Sequence, residues 1–257
     1  MTEQQDSLPA SRLSRIETLW SVVCEAHEGS DVRRQPAQEL LMQRYGPAIK
    51  QYLIASLRDM EQAEEVFQEF ALKFIKGDLR NVSPEKGKFR AYVKTVLANL
   101  IRTHHQKQTK LRKLGSGNDL DSAHEATSLE GDEHRQEQLL VSAWREDLLS
   151  RTWEALSRES DESDSPNYQT LKYRVEHPAE NYEQLSEALS RLSDREVKPG
   201  NARIMIHRAR NRFAKLMIDQ VADTLPTGDL EFVEEELAEL GLLHYCQGTL
   251  GELKQQS

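Results

Sequence analysis

The stretch Ala63-Glu64-Glu65-Val66-Phe67-Gln68-Glu69-Phe70, answered by Phe89-Arg90-Ala91-Tyr92-Val93-Lys94-Thr95-Val96-Leu97-Ala98-Asn99-Leu100, decides the fold. Ala63, Val66, Phe67 and Phe70 recur three and four residues apart, the spacing that lines one face of a helix. Leu72 and Phe74 extend the pattern, so a helix is predicted from about Met60 to Lys76, closed by Gly77. Phe89, Tyr92, Val93, Val96, Leu97, Leu100 and Ile101 form a broad apolar face on a second helix, Phe89 to about Lys113. The loop from Asp78 to Gly87 joins them.

Working outward, the same period continues. A helix starting near Pro36 carries Leu40, Leu41, Tyr45, Ile49 and Leu53, and Pro47 either kinks it or opens a new segment. Before it, Ser11 or Ser14 can cap a helix with Leu13, Ile16, Trp20 and Val23, ended by Gly29. Gly115-Ser116-Gly117 breaks the pattern, and Asn118 to Glu137 holds seven acids against Arg135 alone, the composition of a solvated linker. Helical spacing resumes with Leu139, Leu140, Trp144, Leu148, Trp153 and Leu156. It pauses over the polar run Ser157 to Pro166, then returns in Tyr168, Leu171 and Tyr173 until His177-Pro178. Tyr182 to Leu192 is a short amphipathic helix. Pro199-Gly200 opens another, Asn201 to about Leu225, and the tail repeats Phe232, Val233, Leu237, Leu240 and Leu243.

The expected fold is therefore all-α. Two small helical domains, 36–114 and 139–226, flank an acidic flexible linker at 115–138, with an N-terminal segment 1–35 and a helical tail 227–257. In 257 residues, 37% are hydrophobic and the mean hydropathy is −0.71, low for one large core but suited to small domains and a polar linker. No apolar run is long enough to span a membrane, and Met1 to Ala10 lacks the basic and apolar regions of a secretory signal, so a cytoplasmic location without membrane insertion is expected.

Chemistry of the catalytic kind is hard to find. Cys24 with His27, and His244 with Cys246, could in principle form a zinc tetrad. Short Cys/His matches arise often by chance, and Cys24 reads as a small buried hydrophobe, so no metal or other cofactor is expected. His104-His105 with Glu64 and Glu65 lacks the Glu-x-x-His pairs of helical di-metal sites. Phosphate loop, nucleophile elbow and zinc-protease motif are all missing, and no enzymatic activity is expected.

The net charge of −9 conceals strong segregation. Arg102 to Lys113 contains five Lys/Arg, His104 and His105, and no acid. Ala202 to Met217 contains five more, with His207 and no acid; Asp219 to Glu239 then holds eight acids and no base. A lone basic run is ordinarily a solvated helix face, but two of them in separate domains point to a polyanion such as DNA. Tyr182 to Leu189, a turn, and the second basic helix make a helix-turn-helix plan, whose second helix enters the major groove N-terminus first. Arg203 and His207 lie near that end.

These motifs resemble bacterial RNA polymerase sigma factors. The two quoted segments resemble the second conserved region, whose pattern is Ala-Glu-Asp-x-x-Gln-Glu followed by Phe-x-x-Trp/Phe-Leu-x-x-x-Ala-x-Asn. Tyr182 to Leu189 with Ile206-His207-Arg208-Ala209-Arg210-Asn211-Arg212-Phe213 resembles the fourth region, which ends in Arg-Ala-Arg. Having only these two regions is the layout of the extracytoplasmic-function (ECF) type, and Thr18 to Val23 and Val233 to Leu237 also look like one ECF subgroup. Glu65 replaces the usual Asp and Tyr92 the usual Trp. About six extra residues, Arg191 to Glu196, separate the fourth-region helices, where a tight turn has about 3–4.

The resemblance implies that Glu64, Glu65, Gln68 and Glu69 face the β′ subunit of RNA polymerase core, the β subunit being a further partner. It implies that Lys88, Lys94, Asn99, Arg102, Thr103 and Lys107 meet the −10 element of promoter DNA, with Arg102, Lys107 and Lys110 serving phosphates. Arg203, His207, Arg208, Arg210 and Arg212 would meet the −35 duplex. Arg208 and Arg210 lie about 200° apart around the helix, so one of them is expected to brace the domain. An anti-sigma or other regulatory protein is a further partner such factors use. Two alternatives stand beside this reading: a helix-turn-helix regulator that binds DNA without polymerase, and a sigma-like protein that acts only through protein contacts. The acidic linker is expected to lie near the polymerase channel that nucleic acid occupies, where it either mimics nucleic-acid charge or shields the basic helices before promoter binding. Replacing its carboxylates by amides should then change promoter-independent DNA affinity, and an unchanged slope of affinity against salt would overturn that role.

Overall fold

The computed structural model describes residues 26, 31–76, 89–115, 129–193, 195–225 and 229–256. The helix expected before residue 30 and the loop 78–88 lie outside them, Ala26 apart. Among the described residues every regular element is an α-helix, and no helix is long and apolar enough to cross a membrane. The chain divides into two units, residues 1–143 with 222–232 and residues 144–221 with 233–257.

In the first unit, α1 (Asp31–Leu57) starts earlier than expected and runs on through both Pro36 and Pro47. A proline removes one N–H and strains the turn before it, a cost of about 3 kcal/mol in a helix interior. Burial offsets that cost: Leu41, Tyr45, Ala48, Ile49, Tyr52 and Leu53 all lie in the core. Helix α2 (Met60–Ile75) begins at Asp59, whose carboxylate accepts from the Glu61 and Gln62 amides at 2.9 and 3.0 Å and from Gln62 Nε2 at 2.9 Å. Those bonds, led by the Gln62 amide, hold the Asp59 carboxyl below the usual range. Ala63, Val66, Phe70 and Phe74 form its buried face. The α2 C-terminus is capped from α1: the buried Gln38 amide shares its hydrogens among the carbonyls of Phe74, Ile75 and Ala26. Helix α3 (Phe89–Gly115) buries Val93, Leu97, Leu100, Ile101 and His104.

Helix α4 (Leu129–Ser163) corrects two expectations. The last ten residues of the expected linker are helical, and the break expected from Ser157 comes only after Ser163. Glu, Gln, Arg and Leu, which fill this helix, are good helix formers despite their polarity. The inner row also hides its polar members: Leu140, Trp144, Leu148, Thr152, Leu156 and Ser160 are buried at four-residue intervals. Thr152 Oγ1 donates to the Leu148 carbonyl at 2.7 Å, and Ser160 Oγ accepts from the Tyr168 amide at 3.1 Å. The helix stops where Asp164 turns left-handed (φ 49°) and the Ser165 amide reaches back to the Ser160 carbonyl.

The remaining helices, which lie in the second unit except for Ala222–Phe232, are α5 (Asn167–Glu176), α6 (Tyr182–Ser193), α7 (Pro199–Ala222), α8 (Leu230–Glu239) and α9 (Leu243–Gln256). Asn181 and Gln184 form a reciprocal capping box at the start of α6: Asn181 Oδ1 accepts from the Glu183 and Gln184 amides, and Gln184 Oε1 accepts from the Asn181 amide. Pro199 occupies the first turn of α7, where its missing N–H costs nothing.

The tail is not the single helix expected across Leu240. Gly241 has φ 68°, the Leu242 amide bonds the Leu237 carbonyl and the Gly241 amide bonds that of Ala238, a Schellman turn that ends α8 and starts α9. Arg145 Nε donates to the Leu240 carbonyl at 2.6 Å, and a Cβ on Gly241 would sit 3.2 Å from Arg145 Nη2. Gly241→Ala should therefore destabilise the protein by more than about 1 kcal/mol. Gly248→Ala, in α9 with nothing within 4 Å of its new Cβ, should stabilise it by roughly 0.5–1 kcal/mol. Denaturant titration of the two variants checks the opposite signs.

Candidate polymerase and promoter surfaces

The four α2 residues expected to face polymerase separate into two pairs. Glu65 and Gln68 are exposed and, with Glu61, form the outer stripe of the helix. Leu72 and Ile75 carry that stripe to its C-terminal end, 55% and 54% exposed, where the periodicity had placed Leu72 in the core. Glu64 and Glu69 sit at the flanks. Glu64 pairs with Lys50 of α1 at 2.6 Å, and hydrogen bonding to that lysine holds its carboxyl below the usual range. Glu69 lies 3.6 Å from Lys73 and 3.5 Å from Lys107. Below Glu65 lies His104, buried to 3% exposure. Gln62 donates its Nε2 hydrogen to Asp59, so its Oε1 is the acceptor for His104 Nε2 at 3.2 Å. That bond assigns the imidazole proton to Nε2 and turns Nδ1 toward Glu65, 3.9 Å away.

On α3, Asn99, Arg102 and Thr103 are exposed on one stripe that continues through Gln106 and Lys110. Asn99 is thus a surface residue. Lys94 lies about 140° around the helix from Asn99 and pairs with Glu137 of α4 at 2.7 Å. Lys107 is likewise shared with Glu69. Arg102 and Lys110 have no ion-pair partner among the described residues. Lys88 lies outside them.

In the second unit, Leu185 and Leu189 of α6 pack on Ala202 and Ile206 of α7, with Tyr173, Val197 and Met205 closing the cluster. Helix α6 runs to Ser193, so part of the extra sequence becomes helix, and the described part of the connection to α7 is residues 195–198. Ser190 Oγ accepts from the Val197 amide at 2.8 Å and fixes that connection. On the other side Leu156, Leu171 and Ala209 form a second cluster with Trp153, Tyr168, Phe213 and Leu216.

One side of the first half of α7 is therefore buried through Ala202, Ile206 and Ala209, and the remainder is open. Arg203, His207 and Arg210 lie within about 60° of one another on one side of the open arc, with Arg208 about 140° from Arg203. All four are exposed, and Arg203, Arg208 and Arg210 have no polar partner among the described residues. His207 Nε2 lies 3.4 Å from Asn211 Nδ2. Arg212 differs. Its Nε lies 2.6 and 2.8 Å from the two Glu159 oxygens, its Nη2 joins them, and Glu159 drives its proton affinity up against the opposing effect of burial. The bracing arginine expected at position 208 or 210 is Arg212, tying α7 to α4. No short-range sequence signal connects two residues 53 positions apart.

Cys246 of α9 is buried, its thiol 4.0 Å from the Ala214 carbonyl and 3.7 Å from Met217 Sδ, and burial pushes it up to about 11. It is a core side chain. Cys24 and His27, the other half of the weighed zinc tetrad, lie outside the described residues.

With the geometry in place, comparison with known proteins supplies the class. The family described as Sigma-70 region 2 matches residues 41–111, which fall on α1, α2 and α3. The chain thus carries a domain similar to region 2 of sigma factors, a non-enzymatic class that acts with RNA polymerase in promoter recognition and transcription initiation. No curated protein and no solved structure matches the chain.

Replacing Arg212 by Ala should lower stability by on the order of 1 kcal/mol, a value reduced by screening because the pair is about one-third exposed. Arg208→Ala, removing an exposed side chain, should leave the melting temperature unchanged. Parallel thermal melts followed by circular dichroism separate the two.

Proposed function

We propose that the chain is a sigma factor of the extracytoplasmic-function type, working in the cytoplasm, and that its first unit binds core polymerase and the −10 element while its second binds the −35 duplex. The observation that carries this reading is the coincidence of the region 2 match with two open surfaces, the outer stripe of α2 and the exposed stripe of α3. Glu61, Glu65 and Gln68 offer polar contacts to the polymerase, and Leu72 and Ile75 add an apolar end. Asn99, Arg102, Thr103 and Lys110 present hydrogen-bonding groups and positive charge to melted DNA, whose bases are held by edge contacts and whose phosphates are tracked by cations. Lys94 and Lys107, each already beside a carboxylate, contribute less to that surface.

In the second unit, the arc of α7 with Arg203, His207, Arg208 and Arg210 supports duplex binding, since these side chains reach outward from a helix seated on α6 in a helix-turn-helix. Arg212 is the brace that orients this helix, not a DNA contact.

Purified protein mixed with core polymerase should form a holoenzyme that yields discrete run-off transcripts from a genomic promoter pool. Arg208→Ala holoenzyme should bind core normally but lose roughly tenfold in affinity for promoters with an intact −35 element. Glu65→Arg should weaken core binding itself. Failure to bind core, together with an absence of transcripts from any promoter in the pool, overturns the reading.

A further inference from the structure

Ile204 stands near the middle of the open arc of α7, half exposed (50%) between positively charged neighbours. A β-branched side chain gains little on a solvated helix face, because it loses rotamer freedom against the preceding turn and leaves half its surface in water. Its own domain does not use it: α7 packs through Ala202, Ile206 and Ala209, with Met205 half-buried against α6. Around Ile204, Arg208 follows one turn on at about 40° and His207 at about 60° to the other side, with Gly200 and Asn201 one turn before. A Cβ built on Gly200 meets nothing within 4 Å, so the backbone there is bare and open to close approach. Arg203 and Arg208 have no acidic partner among the described residues, leaving their charge for an outside anion.

We infer that Ile204 is a base-reading residue, packing against the C5-methyl group of a thymine in the major groove of the −35 element. This rests on the proposed role of α7 as the duplex reader. The major groove offers one apolar handle, the thymine methyl, and otherwise only donors and acceptors. An isoleucine flanked by phosphate- and base-seeking cations matches that handle and no other feature of the groove floor. Arg203 and Arg208 hold the helix on the duplex, the bare turn at Gly200 lets its N-terminal end sink toward the base edges, and Ile204 supplies sequence preference that charge alone lacks.

The test uses reconstituted holoenzyme and a promoter fragment from the run-off pool. Each thymine of its −35 element is replaced in turn by deoxyuridine, which removes the methyl and leaves every hydrogen-bonding group. One replacement should weaken wild-type binding by about threefold to tenfold. Ile204→Ala holoenzyme, whose fold is unaffected because the side chain is exposed, should bind the unmodified fragment more weakly by a similar factor and be indifferent to that same replacement. The inference is overturned if no deoxyuridine affects the wild type, or if Ile204→Ala retains the full methyl preference. Arg203→Ala and Arg208→Ala are measured alongside. If they weaken binding while Ile204→Ala does not, α7 reads the duplex without Ile204. If all three bind as wild type, the role of α7 falls, and the inference with it.

Discussion

Between Arg210 and Ala214 the buried side of α7 moves around the helix. Ala202, Ile206 and Ala209 are buried in the first half; Ala214, Met217, Ile218 and Val221 are buried in the second, on a side turned by about 100°. A helix has a single circumference, and this one divides it along its length. The face that carries Arg203, His207 and Arg210 in the first half is the face that α9 covers in the second, where Cys246 lies against Ala214 and Met217. The Arg212–Glu159 fork sits at the changeover and fixes the rotation of the helix about its own axis. If α7 reads a groove as proposed, rotation is what it cannot leave free, because a slip of one residue would swing each arginine by about 100°.

The same economy of surface runs through the first unit. Helix α2 buries Ala63, Val66, Phe70 and Phe74 and keeps Glu61, Glu65 and Gln68 outside, with His104 buried beneath and bonded to Gln62. Basic groups near the α3 surface are partly answered by carboxylates, Lys94 by Glu137 and Lys107 by Glu69, while Arg102 and Lys110 are left open. With net charge −9, the protein keeps the open cations of the proposed nucleic-acid surface local, and a positive charge so confined limits attraction to random DNA.

The helical fold was legible because α2, α3 and α6 are strongly amphipathic, so burial and periodicity agree. Family pattern added the first domain, and the region 2 match falls where the Ala-Glu-Glu and Tyr-Val-Lys segments had pointed. The C-terminal end of α4 was misread because its inner row finishes in Ser160, a polar side chain that bonds internally and so mimics a break in the apolar pattern. The tail was misread because Leu237, Leu240 and Leu243 keep helical spacing across a turn that only the φ of Gly241 discloses. In the candidate site, Leu72 and Ile204 look like core residues from their chemistry, and only their exposure says otherwise. Arg212 looks like its exposed neighbours, and only its partner, far off in sequence, sets it apart.

The placement of the tail also sets an order on synthesis. Helix α7 leaves the ribosome before Cys246, the tail side chain whose thiol lies against Ala214 and Met217, has been made. Until that segment emerges, this part of the buried side of α7 lacks its final cover. A product cut short in the tail keeps every arginine of the exposed arc and the Arg212–Glu159 fork that braces it, and lacks only the cover over the second half of the helix.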